Sequence, residues 1–471
     1  MKQSSVILIL IFTSLFVVNK ASAQFNPIEE YIIEGEFKQA LSLLNIKSMF
    51  GDTSETYSFR GLIFVRTGKT EEGFEQWDKA LEENPNYKYL INLFKSGAYE
   101  MLGDEIKAKE YLNLAKQTCK SKNGFNDEQL VLLHLMYGKI DDALKLYEKI
   151  ISSKPKPQYY NEMATVLLIA KRKEEAFNAY RNSYKLDHSE KSIFKNDELI
   201  HAFFINVDKY EELNAKYEEE IRTKQKNNHQ IYFEWGNALA TFDWLSGRDK
   251  KEVEDELFYD QLSLFSFHNP KILDCAKHWL SLKKKEIVSI YNKATELKPK
   301  KAEYHYALAK AISATRENDE MVIEEFDKAC NLAPKNKDYF KVQILYLARK
   351  SYYNQAEEKL TVLKNKFPEE ATLVDSMFVQ INKSKELDMK YYLKEKEELL
   401  NDPYKGLNHP FFWMKLLMLK YSDKEFFDKE LEEYKQLLIT IKNSGKLNSN
   451  SDSFSHAIDN MIKKLIDKEP E

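Results

Sequence analysis

The residues best spaced to do chemistry are Cys275 and His278, three positions apart, with His268 seven positions before the cysteine. On a helix that spacing puts both side chains on one face, which is how many zinc sites begin. A closed site needs four ligands, and no second Cys/His pair stands nearby. Cys275 also falls where the repeat described below calls for a small core residue. No metal is therefore assigned. Other chemistries fare no better: the chain has no Walker loop, no Gly-x-Gly-x-x-Gly and no Gly-x-Ser-x-Gly. The nine histidines are scattered. Glu211 with Glu212, and the run from Lys283 to Glu286, have the pattern of solvated helix faces. No catalytic residue and no cofactor is expected. The three cysteines, Cys119, Cys275 and Cys330, read as small core residues, with a Cys275–Cys330 bridge between neighbouring repeats as the alternative.

With little chemistry to position, the elements themselves become the subject. Charged residues make up 31% of the 471, with only 13 glycines and 11 prolines, a balance that suits long helices with solvated faces. A net charge of −4, spread through both signs, leaves no footprint for nucleic acid. The length exceeds one ordinary core, so the choice lies between several domains and a repeat array.

A repeat is present. Gly35, Gly68, Gly103 and Gly138 fall 33, 35 and 35 residues apart. Five positions after each comes a small residue (Ala40, Gly73, Ala108, Ala143), and four further on a large apolar one (Leu44, Trp77, Leu112, Tyr147). The same offset continues without the glycines, in Ala176/Tyr180, Leu213/Tyr217, Val253/Leu257, Ile287/Tyr291, Val322/Phe326 and Ala356/Leu360. Pro85, Pro155, Pro299, Pro334 and Pro368 each lie twelve residues after the small position, where a helix must stop.

Residues 54–88 show the physics of one unit. Tyr57, Gly61 and Phe64 share a face of a first helix. Gly68 permits the left-handed turn that ends it, and Thr70 is the expected N-cap of a second helix with Glu71 and Glu72 in its first turn. Gly61 and Gly73 let the two helices approach, Trp77 fills the space beside them, and Pro85 closes the unit.

This set (Tyr57, Gly61, Phe64, Gly68, Gly73, Trp77, Ala80, Pro85) resembles the tetratricopeptide repeat family. The resemblance runs in register through residues 24–370. Similar sets occur at Tyr99, Gly103, Ala108, Leu112 and Ala115, at Gly138, Ala143, Tyr147 and Pro155, and at Tyr353, Ala356, Leu360 and Pro368. It implies an all-α fold, an α-solenoid winding as a right-handed superhelix of about 11–12 helix-turn-helix repeats. It also implies that the first helix of each pair lines a concave groove. Inward candidates for partner binding are then Leu62, Val65, Arg66, Leu93, Glu100, Met101, Leu132, Leu135, Met136 and Leu168, with packing of some of the apolar ones against the next repeat as the equal alternative. Family members that grip a terminal carboxylate carry Lys and Asn where this chain has Ser58 and Leu62, so that activity is not expected.

The domains follow. Residues 1–23 read as a signal peptide: Lys2, an apolar run from Val6 to Val18, then Ala21-Ser22-Ala23 as a cleavage site. The run is shorter than the ~20 residues that span a bilayer, which favours cleavage over an uncleaved anchor facing the periplasm. A tetratricopeptide array is expected at 24–188, degenerate aromatic-rich repeats at 189–267 and a second array at 268–370. Helix pairs follow at 371–443 (Ala371–Ile381 with Glu386–Leu400, then Pro410–Tyr421 with Lys424–Ile441), and a polar linker with a capping helix at 444–471. The aromatics of the middle, among them Phe203, Phe204, Tyr210 and Trp235, are the packing of irregular helices, a partner patch, or part of a joint between two rigid halves, 24–190 and 268–443. The expected function is a non-enzymatic scaffold for other proteins, periplasmic or extracellular. It would bind a peptide or helix in the groove, with no nucleic acid and no stable membrane insertion after signal cleavage. A glycan- or nutrient-uptake component is the alternative, and an α/α hydrolase a more distant one.

Overall fold

The computed structural model describes residues 26–49, 51–119, 125–186, 193–194, 198–224, 226–242, 269–315, 318–401 and five positions between 429 and 436. The signal peptide, the aromatics Trp244, Phe258, Tyr259, Phe265 and Phe267, the expected pair at 408–443 (apart from those five positions) and the terminal cap lie outside the described residues. Every regular element described is helical: α1 (Pro27–Glu34), α2 (Phe37–Ser48), α3 (Ser54–Arg66), α4 (Thr70–Glu83), α5 (Lys88–Met101), α6 (Glu105–Thr118), α7 (Asp127–Met136), α8 (Ile140–Ser153), α9 (Pro157–Ile169), α10 (Lys173–Leu186), α11 (Glu198–Lys224), α12 (His229–Ala240), α13 (Pro270–Leu297), α14 (Ala302–Thr315), α15 (Asp319–Leu332), α16 (Lys337–Arg349), α17 (Tyr353–Lys366) and α18 (Ala371–Asn401). They form two compact units, one drawn from Met1–Lys226 with Trp235–Ile287, the other from Asn227–Glu234 with Val288–Glu471.

The architecture is the all-α stack of helix pairs that the register implied. In the first unit α1 to α10 pack as five successive pairs; in the second, α14/α15 and α16/α17 repeat the motif. The pair α3/α4 shows why the spacing works. A β-carbon on Gly61 would stand 2.6 Å from the Trp77 ring and 2.8 Å from the Gly73 carbonyl oxygen, so the two backbones meet where side chains are missing. Trp77 is wholly buried there, and its indole N–H donates to the Ser58 carbonyl at 2.9 Å. Thr53 and Thr56 form the capping box of α3. The second helix starts one residue earlier than the capping argument placed it: Lys69, not Thr70, is the N-cap of α4 and uses no side-chain hydrogen bond. The left-handed Gly68 turn has already redirected the chain at that point.

The turn survives where its glycine is lost. Gly35, Gly68, Gly103 and Gly138 have φ between 72° and 85°, and Lys171 and Ser351, at the equivalent positions of later pairs, adopt φ 61°. Packing therefore imposes the turn on residues that disfavour it.

Two expectations about pairing fail. Residues 268–301 form no hairpin, because α13 runs unbroken for 28 residues. Ala371–Asn401 likewise forms one 31-residue helix in place of the pair Ala371–Ile381 and Glu386–Leu400. Neither the stretch just ahead of Ile287 nor Asn382 to Lys385 contains glycine or proline, so nothing local ends the helix. Of the described aromatics of the irregular middle, Phe203, Phe204, Tyr210 and Trp235 are core, while Tyr217, Tyr232, Phe233 and Phe242 are half-buried. Phe203, Phe204 and Tyr210 are wholly buried, and Phe177 stacks on Trp279 with ring centroids 5.2 Å apart. Cys275 and Cys330 are buried and, like Cys119, not disulfide-bonded.

Candidate interaction surface

The inward candidates of the first unit come from the first helices α3, α5, α7 and α9. Their register follows from the buried faces that seat each helix on its partner: Gly61 against Gly73 in α3/α4, and Gly97 against Tyr137 between α5 and the end of α7. The structure divides the ten candidates. Leu62, Val65, Leu93, Leu135 and Met136 are buried among neighbouring helices and offer no surface. Of the two readings, groove or packing, these five take the second: Val65, for one, packs inside its own pair, its Cγ2 standing 2.6 Å from where a β-carbon on Gly73 would lie. The first helix α1 also folds against α7.

Arg66 marks that closure. It reaches from the end of α3 to donate from Nη1 to the Ile32 carbonyl of α1 (2.6 Å) and the Met136 carbonyl of α7 (3.0 Å). Its guanidinium lies over the Phe37 ring, 4.7 Å from the centroid. Carbonyls at the ends of two helices carry partial negative charge, which accommodates a cation without a carboxylate. Burial pulls the Arg66 guanidinium below its ordinary value, and the Tyr137 phenol acts the other way. Arg66 is thus a structural clamp. Further along, Lys271 at the start of α13 pairs with Glu30 of α1 at 2.6 Å, while Asp274 pairs with Lys173 of α10 at 2.8 Å. The first helix is tied from the other side as well.

Four candidates remain accessible in part. Leu132 and Leu168 are half-buried, and Glu100 is exposed, its carboxylate paired with Lys139 at 2.5 Å. Met101 is 50% exposed, and beside it stand two residues that the register argument missed, Leu102 (56%) and Ile106 (82%). They flank Gly103 in the α5–α6 turn, where most turns are polar; that apolar pair was the available signal. The turn is held by its own backbone. Asp104 N–H donates to the Tyr99 carbonyl at 2.9 Å, and the Asp104 carboxylate accepts from Lys107 N–H at 3.0 Å. Three large apolar side chains are therefore presented on a fixed loop.

The chemistry-bearing residues separate from this surface. Cys275 is buried, and burial pushes its thiol up to about 12; His268 lies outside the described residues. Among the described residues no three His, Cys, Asp or Glu side chains are placed to hold a metal ion. The places expected of a carboxylate clamp are closed too: Ser58 and Leu62 are buried, and Ser58 Oγ donates to the Ser54 carbonyl at 2.6 Å. One acid–phenol group spans two pairs. Tyr147 of α8 donates to Glu162 of α9 at 3.2 Å, and Tyr159 donates to Glu128 of α7 at 2.5 Å. Burial raises the Glu162 carboxyl, against the lowering effect of hydrogen bonds from Gln158 and Tyr147. These contacts join neighbouring pairs.

No helix among the described residues is long and apolar enough to cross a membrane. No model of a known protein family matches the chain, and no curated protein matches it. Among solved structures it is similar to the TPR2AB domain of yeast Sti1 in a pHSP90 complex, at 15% identity, covering 70% of this chain and 98% of that one with a TM-score of 0.20. It is also similar to yeast Tom70, at 15% identity, covering 88% of this chain and 98% of that one with a TM-score of 0.20. With the glycine turns, the close-packed pairs and the 34-residue register in place, the fold of this chain resembles that of tetratricopeptide repeat proteins.

Proposed function

We propose that this chain is a scaffold that binds other proteins and transforms no substrate, and that it works in the cell envelope. The observation that carries the reading is the α5–α6 turn, where Met101, Leu102 and Ile106 stand exposed within six residues. Soluble proteins expose large apolar side chains mostly one at a time, and a group of them marks a surface that another molecule covers. The rigid turn favours binding, since little ordering remains to be done on association. The envelope setting rests on residues 1–23, with Lys2, the run from Val6 to Val18 and Ala21-Ser22-Ala23. A peptide or helix could not enter between α1 and α7 without displacing Arg66, so the surface of the first unit is assigned to the turn and to half-buried Leu132 and Leu168 beyond it.

The test is in-cell photocrosslinking from a probe at position 104, comparing the native chain with a Leu102→Asp, Ile106→Asp variant. The expected result is a protein adduct that the variant loses while its circular dichroism is unchanged. An adduct of equal yield in the variant removes the turn from the proposal. Cell fractionation tests the envelope setting, which falls if the protein stays in the cytoplasm with residues 1–23 attached.

A further inference from the structure

In the second unit the same register brings a different surface into the open. Ala311, Leu345 and Val379 are spaced by 34 residues, one repeat, and lie on α14, α16 and α18. Ala311 is buried, but Leu345 is 58% exposed and Val379 68%. Four positions on, again one repeat apart, come Thr315, Arg349 and Lys383. A spacing of four returns to the same helix face, so each exposed apolar residue has a cation one turn beyond it.

Side-chain ties near both ends of α16 reach α18 or the residues just ahead of it. Lys341, one turn before Leu345, pairs with Glu370 just ahead of α18 at 2.9 Å. Past the other end of α16, Ser351 Oγ donates to the Asp388 carboxylate of α18 at 3.0 Å, and Tyr353 donates to the same carboxylate at 2.7 Å. Leu345 and Val379 fall between these ties. They form one strip, with Arg349 and Lys383 along one border.

That border is basic and uncompensated. Arg349 and Lys383 are exposed, and neither has a carboxylate partner among the described residues. The other border is largely neutralised: Lys341 is answered by Glu370, and Asp375 by Lys364 at 2.6 Å, leaving exposed Asp338 at the far end. Lys350, next in sequence to Arg349, is engaged by Asp319 at 2.7 Å and does not join the row.

We propose that the Leu345–Val379 strip docks an acidic amphipathic segment of a partner protein. Its apolar side chains would seat on Leu345 and Val379, and its carboxylates would face Arg349 and Lys383. Charge complementarity selects this occupant: a basic segment would meet two unpaired cations, and a neutral one would leave them unanswered. The inference rests on the scaffold reading and adds to it the chemistry of a partner.

Two synthetic probes test it against the full-length chain by fluorescence anisotropy. One is a blocked helical peptide with leucines on one face and glutamates one turn away; the other carries lysine at each glutamate position. The glutamate peptide is expected to bind at least about tenfold more tightly, and raised salt to weaken it. Arg349→Glu with Lys383→Glu should reverse the preference. Leu345→Asp should weaken the glutamate peptide about tenfold while leaving the helical spectrum unchanged, as fits an exposed position. Equal binding of both peptides, or a charge-reversed variant that still prefers glutamate, overturns the proposal. If the strip fails while crosslinking at the α5–α6 turn persists, the inference falls and the scaffold reading stands; loss of both removes the reading itself.

Discussion

Replacing Gly61 by alanine sets two effects of opposite sign against each other. Glycine inside a helix is worse than alanine by ~1 kcal/mol, so on propensity alone Gly61→Ala in α3 would stabilise. The geometry argues otherwise. The added β-carbon would lie 2.6 Å from Cδ1 and Nε1 of Trp77 and 2.8 Å from the Gly73 carbonyl oxygen, far inside ordinary contact. The carbonyl belongs to the facing helix and moves only if α3 and α4 separate. Trp77 is wholly buried and tied to the Ser58 carbonyl at 2.9 Å, so it too has nowhere to go. Overpacking of this kind costs ~1–3 kcal/mol, and losing the indole hydrogen bond adds about 1 kcal/mol. After the propensity gain, the variant should be less stable by ~1–3 kcal/mol. Urea denaturation followed by circular dichroism measures the difference. A second variant, Trp77→Leu, supplies the cross-check: it costs stability by itself, but it should relieve part of the Gly61→Ala penalty, giving a non-additive double-mutant cycle. A Gly61→Ala chain as stable as the native one, or a strictly additive cycle, would refute the close-approach account of the repeat.

Three further outcomes follow from the same structure. Lys171→Gly should stabilise by about 1 kcal/mol, read as a raised urea midpoint, because exposed Lys171 holds a left-handed turn at φ 61°; a lowered midpoint would mean the lysine is not strained there. Glu162→Gln should raise stability near neutral pH, since burial raises the Glu162 carboxyl and its ionised form therefore costs folding energy. Because the folded chain takes up this proton first as pH falls, the native chain regains stability on acidification and the advantage of the variant should shrink; a pH-independent advantage would point to another cause. Burial holds the Cys275 thiol up to about 12 and that of Cys330 up to about 11, so both should resist alkylation at neutral pH in the folded chain and react once it is unfolded. Rapid native labelling of either, followed by mass spectrometry, would contradict their burial.

The sequence by itself determined the period, the helix pairs and their contact points. Gly61, Gly73 and Trp77 could be assigned before any coordinates, because helix-to-helix approach is a local matter of which residues lack a side chain on the facing turns. The glycine turns and the small cysteine core positions were legible for the same reason. Tertiary structure decided what the helices do over longer distances. It kept α13 and α18 continuous where a hairpin was expected, since without glycine or proline a turn is set by what packs alongside. It also decided which apolar residues are free. Leu62 occupies the same inward register as Leu345, eleven residues before the small position of its repeat, yet it is buried and Leu345 is not. The register fixes the direction in which a side chain points. Only the packing of neighbouring helices, of which the Arg66 clamp between α1 and α7 is one part, determines whether that direction leads to water or to another helix.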